Sequence, residues 1–363
     1  MKINVTVLIV LLYAISIAFY LAKVSEFSPL YLCYIGLLIP SAYVCVKSKL
    51  LNFAFDIKCA LVILTYVCVF HFKSIETGEF INLFLGLVGY IFIRMVSYRI
   101  SNEQLIFIFT YMLRVSIVLL ALDSLYRIAN PTHPNKDVVN TLMESSSWFY
   151  LYKFNSLMFA DSNTTALIIV ILLFGILSLH NLGIKKFKEE MILLILILLS
   201  CFSRSAVISV LITYYFYFYK TSLRKILFIF SASFILLVFM INIVLEYFLD
   251  GSFQSKFLII ELILNKLSEL SFYEIFFGVG IGNSEEFLGI FPHIFLFTWF
   301  LETGIVGVIL ITSFLYLFSK KIDYLIPVAV MIMGLSYFLY LGTPFLFVPM
   351  ALVASIKMNI RTT

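Results

Sequence analysis

Long apolar runs recur from one end of the chain to the other, and they limit its folds more than any other feature. The run MILLILILLS, at Met191–Ser200, would be apolar on every face of a helix. Hydrophobic residues make up 63% of the chain and charged residues 12%, whereas soluble domains carry about 25% charged residues. So few charges cannot cover a surface that faces water, and we infer that lipid solvates most of the chain.

Backbone in contact with lipid must satisfy its own hydrogen bonds, which leaves helices or a closed barrel. Barrel strands alternate polar and apolar residues over segments of about ten residues, and the runs in this chain do not alternate. We therefore predict an all-α, polytopic membrane protein with about ten to twelve transmembrane helices. The candidate spans are residues 3–22, 29–46, 57–72, 80–96, 105–122, 163–181, 189–202, 205–219, 225–246, 293–319, 322–340 and 344–357.

The distribution of basic residues predicts the orientation of these spans. With the N-terminus in the cytoplasm, sixteen of the 25 lysines and arginines fall in inside segments and eight in the longer outside segments. Cytoplasmic loops carry an excess of lysine and arginine, so we expect both termini to be cytoplasmic. The net charge of +5 then reflects topology, and it does not indicate nucleic acid as a partner.

The chain reads as one transmembrane domain over residues 1–363, with two larger loops on the outer side. Loop A covers residues 123–162 and contains the turn-rich stretch NPTHPNKDVVN. Loop B covers residues 247–292. Within loop B, Phe257–Leu270 has a broad apolar face and three charges, which predicts a helix lying at the membrane surface. A glycine-rich turn follows this helix.

The glycine-rich turn holds Gly278, Gly280 and Gly282 within the stretch FFGVGIGN. A dinucleotide-binding fingerprint requires G-x-G-x-x-G between a strand and a helix. Here Asn283 takes the place of the third glycine, and no βαβ pattern surrounds it. Two interpretations remain open. One is a flexible turn at the membrane surface, and the other is a backbone that approaches an anionic ligand closely.

Two arginines interrupt apolar stretches. Arg204 lies in Ser203-Arg204-Ser205, where two short spans meet at the outer face. It either reaches to the interface or is held at the rim of a cavity, where its five donors suit a phosphate or diphosphate. Arg114 lies within a span, where charged residues are costly. It either lines the same cavity or pairs with Asp123, although nine residues of separation disfavour a direct helical pair.

Candidate acid–base groups cluster late in loop B and at the start of the next span. Glu285 and Glu286 follow the glycine turn, and His293 precedes the span. Each of the three could serve as a general base. Glu302 lies nine residues after His293, about 13 Å along a helix axis, and is a secondary candidate. The sequence carries no metal-binding or P-loop motif, and we expect no metal and no cofactor.

Three motifs follow one another along the chain. They are SRS at 203–205, FGVGIGN at 277–283, and His293 followed by LETGIVG at 301–307. Together they resemble the O-antigen polymerase (Wzy) and O-antigen ligase (WaaL) superfamily of bacterial polysaccharide assembly. The motifs cover residues 200–310, and the hydropathy layout fits over the whole chain. The resemblance implies a GT-C-like fold and a metal-independent, inverting glycosyltransferase that acts at the outer face of the bacterial inner membrane.

The resemblance also implies roles for individual residues. The donor is a glycan on undecaprenyl diphosphate, so a diphosphate leaves and cationic side chains must neutralise it. Arg204 matches the first diphosphate-binding arginine of the family. Lys256 stands where relatives carry a second arginine, and supplies charge without a bidentate fork. His293 matches the family histidine, which acts near the acceptor hydroxyl. The base itself stays open among Glu285, Glu286 and His293.

Three functions fit this reading. The first is a polymerase that joins undecaprenyl-diphosphate-linked oligosaccharide repeats, with membrane lipids and a chain-length regulator protein as further partners. The length of loop A favours it, because that loop could hold a second lipid-linked glycan. The second is a ligase that moves the finished glycan to lipid A-core or to a protein. The third is a flippase for lipid-linked glycans, which would require charges deep between two related halves, and no such repeat is present.

Overall fold

The computed structural model describes residues 4–21, 24, 28–47, 54–72, 78–132, 151–159, 162–184, 186–229, 251–290, 292–335 and 344–362. Every regular element in these ranges is helical, and no strand occurs among them. The predicted all-α class is therefore confirmed for the described part of the chain.

Fourteen α-helices are named here in chain order. They are α1 (Val5–Ser16), α2 (Pro29–Lys47), α3 (Phe55–Phe70), α4 (Gly78–Val96), α5 (Asn102–Ala129), α6 (Ser162–Asn181), α7 (Lys188–Ser200), α8 (Arg204–Phe218), α9 (Gly251–Lys266), α10 (Phe272–Phe277), α11 (Ser284–Leu288), α12 (Phe295–Lys321), α13 (Leu325–Gly334) and α14 (Pro344–Thr362).

Within these ranges, five helices are long and apolar enough to cross a bilayer: α2, α4, α5, α6 and α12. Shorter apolar helices include α1, α13 and α14. The chain is thus a membrane protein by the length and composition of its helices. The predicted span at 225–246 lies mostly outside the described residues, as do the middle of loop A and parts of the predicted span at 322–340.

The core forms around α4, α6 and α14. The sequence of α6 is apolar on all sides, and 89% of its spanning window is buried, as expected for a helix surrounded by others. Helix α14 packs along α4 and also contacts α5 and α6. The peripheral α2 has only 28% of its window buried. Its side chains Ile39 and Val46 are exposed, so this face is available to lipid.

The described parts of loops A and B contain helical structure. Helix α5 begins at a capping box formed by Ser101 and Gln104 and continues to Ala129, so its last turns occupy the start of predicted loop A. In loop B, α9 and the short helical turn at Leu267–Glu269 overlap the predicted surface helix. Helices α10 and α11 flank the glycine turn. Helix α10 packs on α12, which brings the end of loop B onto the helix bundle.

Candidate functional site

Helix α12 is broken at Gly304, and this break receives the glycine turn. Gly304 has φ 65° and ψ −173°, which interrupts the helical backbone. Carbonyl groups just before such a break lose the backbone N–H groups that would bond to them from the next turn of the helix. The carbonyl of Leu301 accepts a hydrogen bond from the N–H of Val279 at 2.8 Å, and that of Glu302 accepts from the N–H of Gly280 at 3.1 Å. The turn therefore replaces the helical partners of α12.

The two backbones cross so closely that glycine is required on both sides. A Cβ added to Gly278, where φ is +81°, would lie 2.2 Å from the carbonyl oxygen of Glu302. A Cβ added to Gly304 would lie 2.3 Å from the backbone carbonyl carbon of Phe276. Both contacts are to backbone atoms, which cannot rotate away as a side chain can. We call this contact, formed by Gly278 and Gly304, the glycine crossing.

Helix α3 supports the glycine crossing from the side. The hydroxyl of Tyr66 donates a hydrogen bond to the carbonyl of Thr303, beside the break. The ring of Phe70 stacks on Phe277 with centroids 4.4 Å apart and planes 3° apart. The turn, α12 and α3 thus form one packed unit at the N-terminal half of α12.

Glu302 ties the residues after the glycine turn to the same unit. Its side chain is completely buried, and its Oε1 accepts a hydrogen bond of 2.6 Å from the hydroxyl of Ser284. Its Oε2 is buried and has no hydrogen-bond partner within the described ranges. Because a buried, unpartnered polar atom is costly, we treat this carboxyl as part of the site.

The predicted acid–base residues are exposed next to this unit. Glu285 and Glu286 lie on α11, directly after the serine that Glu302 binds, and both are exposed. His293 is also exposed, just before α12 begins. The hydroxyl of Thr298 bonds to the carbonyl of Pro292 at 2.8 Å, which fixes the backbone next to His293. All three side chains are therefore accessible from outside the packed core.

Short helices on either side of the turn have their own anchors. Helix α10 begins with a capping box in which Ser271 and Glu274 exchange hydrogen bonds. The hydrogen bonds that Glu274 accepts from the Ser271 hydroxyl and N–H lower the pKa of its carboxyl. On α11, the carbonyl of Phe287 accepts a hydrogen bond from the ammonium of Lys266 at 3.0 Å. Both anchors reduce the freedom of the segment that carries the acids.

Arg204 lies elsewhere in the packing, at the first residue of α8, and is exposed. Helix α8 packs mainly on α13 and α6 rather than on α12. The resemblance assigns Arg204 and His293 to one reaction, and these helix contacts do not bring the two residues together. The turn that precedes Arg204 is held by a buried cluster that the sequence reading did not include.

That cluster is centred on Arg127 and Asp123, whose side chains are fully buried and form an ion pair of 3.1 Å. Arg127 donates to the carbonyls of Tyr152 at 3.0 Å and Ser200 at 3.3 Å. Asp123 accepts hydrogen bonds from the Ser156 hydroxyl and from two backbone N–H groups. The cluster thus fixes the end of loop A against the junction of α7 and α8.

Two predicted residues fall outside these arrangements. Arg114 forms an ion pair of 3.0 Å with Glu190 on α7, so the suggested pairing of Arg114 with Asp123 is wrong. Asp123 pairs instead with Arg127, which lies four residues away and therefore on the same face of the helix. The side chain of Lys256 lies outside the described part of the structure, although its backbone belongs to α9. No group of three histidine, cysteine or acidic side chains among the described residues could hold a metal ion.

Ser284, Tyr66 and Gly304 were not predicted as site residues, although Gly304 stands within the LETGIVG motif. Gly304 carried a usable signal, because a glycine inside a helical pattern disfavours a regular helix at that position. Ser284 and Tyr66 carried none, since their contacts join segments far apart in the chain. A comparison with known protein families and with curated proteins found no match to this chain.

Proposed function

We propose that this protein is a polymerase of the GT-C type that joins undecaprenyl-diphosphate-linked oligosaccharide repeats at the outer face of the bacterial inner membrane. One observation carries the proposal. The glycine turn and the LETG segment belong to two of the motifs that carry the family resemblance, and they dock on each other through the glycine crossing. Glu285 and Glu286 follow the turn on α11, His293 precedes α12, and all three side chains are exposed. An ordered loop next to exposed acid–base groups suits a glycosyl-transfer site.

The reaction needs one proton acceptor and one stabilised leaving group. The acceptor hydroxyl attacks the anomeric carbon of the donor glycan, and the bond from that carbon to the diphosphate oxygen breaks. The hydroxyl proton passes to His293, Glu285 or Glu286. Undecaprenyl diphosphate leaves with the bonding electron pair. Because attack and departure occur on opposite faces of the sugar, the anomeric configuration inverts.

Cationic side chains offset the charge that develops on the diphosphate. Arg204 is exposed at the N-terminus of α8, where helix N–H groups also favour an anion. Its guanidinium is suited to bind two phosphate oxygens at once. Lys256 on α9 supplies a second positive charge in this proposal.

The test is a deletion strain complemented with variant genes, followed by electrophoresis of its surface polysaccharide. We expect Arg204→Ala and His293→Ala to leave single repeats on the acceptor, because chain extension requires both residues. Arg224→Ala is a matched control, since Arg224 is exposed and lies outside every motif. It should give the normal ladder of long chains.

The other functions give different patterns in the same gel. Loss of a ligase leaves long chains on the lipid carrier, and loss of a flippase leaves neither chains nor single repeats at the surface. A normal ladder from Arg204→Ala, with the protein present in the membrane at the normal level, would refute the diphosphate role of Arg204.

A further inference from the structure

Two cavities lie at the C-terminal end of α12, far from the glycine crossing. Each has a volume of about 540 Å³, within the range of about 300–1,000 Å³ that is usual for small-molecule sites. Lys320 and Ile322 line both of them. The cavities therefore flank the same end of α12, on either side of one lysine.

The first cavity combines apolar walls with basic groups. Its walls include Phe314, Leu317 and Phe318 of α12, and Lys320 and Lys321 also line it. The two lysine side chains are exposed. Such a lining suits an amphiphile that has an acidic head and a hydrocarbon chain.

The carboxylate in the first cavity does not neutralise these lysines. Asp56 forms an ion pair of 2.7 Å with the buried Arg94 and accepts a hydrogen bond from the hydroxyl of Tyr90. Arg94 also bonds to Ser355 on α14. The negative charge of Asp56 is therefore already balanced inside the bundle.

Lys320 and Lys321 contact aromatic rings instead of acids. The ammonium of Lys321 lies 4.0 Å from the ring centroid of Phe55, and that of Lys320 lies 6.0 Å from the ring of Tyr316. Neither lysine forms an ion pair with any residue that the structure describes. Two positive charges at the mouth of an apolar cavity are thus left for an external anion.

The second cavity adds a third basic group. Lys357 of α14 lines it and donates a hydrogen bond to the carbonyl of Ile322. Its acid, Asp323, accepts hydrogen bonds from the hydroxyl of Ser178 at 2.9 Å and the N–H of Leu325 at 2.8 Å. Lys320 and Lys357 line the second cavity against the single carboxylate of Asp323, so the net charge of its lining is still positive.

We propose that the end of α12 bearing Lys320 and Lys321 binds an anionic phospholipid, with its phosphate on the two lysines and an acyl chain along the apolar wall of the first cavity. The distribution of basic residues predicts that this end faces the cytoplasm, where the leaflet is rich in acidic lipid. Basic pockets between transmembrane helices at that side bind such headgroups. The inference does not depend on the proposed glycosyl transfer.

The test measures lipid binding to the purified full chain in detergent. The probes are fluorescent phosphatidylglycerol and fluorescent phosphatidylcholine, and unlabelled inorganic phosphate serves as a competitor. We expect phosphatidylglycerol to bind more tightly than phosphatidylcholine. The double variant Lys320→Gln/Lys321→Gln should bind phosphatidylglycerol about thirtyfold more weakly. This factor is about fivefold for each lysine removed, the usual contribution of a lysine near an anionic surface.

The matched control is Arg224→Gln/Lys225→Gln, which removes two adjacent exposed charges outside both cavities and should leave binding unchanged. A third variant, Leu317→Trp, keeps every charge and fills the cavity, and it should weaken binding of the phospholipid. Equal binding of the two lipids, or equal effects of the two double variants, would overturn the proposal. Full displacement of the lipid by inorganic phosphate would show a site for a soluble anion instead.

Discussion

The substitution Gly278→Ala tests the glycine crossing directly. Gly278 has φ 81° and ψ 170°, a region that is essentially restricted to glycine and costs other residues about 1–3 kcal/mol. The new Cβ would also lie 2.2 Å from the carbonyl oxygen of Glu302. Relieving that contact requires the turn to move away, which breaks the two hydrogen bonds from Val279 and Gly280, each worth about 1 kcal/mol. We expect a total cost of about 3–5 kcal/mol.

A matched control separates backbone strain from the close approach. Gly289 also has positive φ, +76°, but no atom lies within 4 Å of a Cβ placed there. Gly289→Ala should cost only the strain of a left-handed residue, about 1–2 kcal/mol. The two variants therefore differ by about 2–3 kcal/mol. The equilibrium constant for opening of the turn should then be about 30- to 150-fold larger in Gly278→Ala than in Gly289→Ala.

Hydrogen exchange measured by mass spectrometry on the detergent-solubilised protein reports this opening. Peptides covering residues 278–288 should exchange faster by the stated factor in Gly278→Ala than in Gly289→Ala. Peptides from α6 should keep the same protection in both variants, because the effect is local. Equal protection of residues 278–288 in the two variants would refute the glycine crossing.

Three further predictions concern other contacts of the structure, and each is measured as a melting temperature in one detergent. Tyr66→Phe leaves the carbonyl of Thr303 without its hydroxyl partner and should cost about 1–3 kcal/mol; an unchanged melting temperature would contradict this contact. Arg127→Met leaves the charge of Asp123 buried and unpaired, and should cost about 3–5 kcal/mol, with part of the loss recovered when Asp123 is also replaced by Asn. Glu302→Gln keeps an acceptor for its serine partner and should be more stable than Glu302→Leu by about 1 kcal/mol; the reverse order would show that the hydrogen bond is unimportant.

The all-α class and most helix positions could be predicted because lipid leaves few alternatives for apolar runs of this length. The ends of the helices were harder to predict from the sequence. The prediction ended the fifth span at residue 122, whereas α5 continues to Ala129. Asp123 and Arg127 fall within predicted loop A, but they are four residues apart on α5 and form an ion pair inside the bundle. The pairing of these two opposite charges allows the helix to continue past the predicted end of the span.

The sequence predicted only part of the candidate site. Local composition identified the glycine turn, because three glycines in five residues have few structural uses. It could not identify what the turn packs against. The hydrogen bond from Ser284 to Glu302 and the contact of Tyr66 with Thr303 join residues that are 18 and 237 positions apart. Such pairings follow from tertiary packing, which a single sequence does not encode in any local pattern.

The most direct test of the proposed function is polymerisation by the purified protein in liposomes, with one undecaprenyl-diphosphate-linked repeat unit supplied as both donor and acceptor. We predict products of two and more repeats, together with free undecaprenyl diphosphate in equal number to the new linkages. The Arg204→Ala protein should give neither product, and the Arg224→Ala protein should give both. Single repeats alone, from folded wild-type protein in the presence of the strain's own repeat unit, would contradict the proposal.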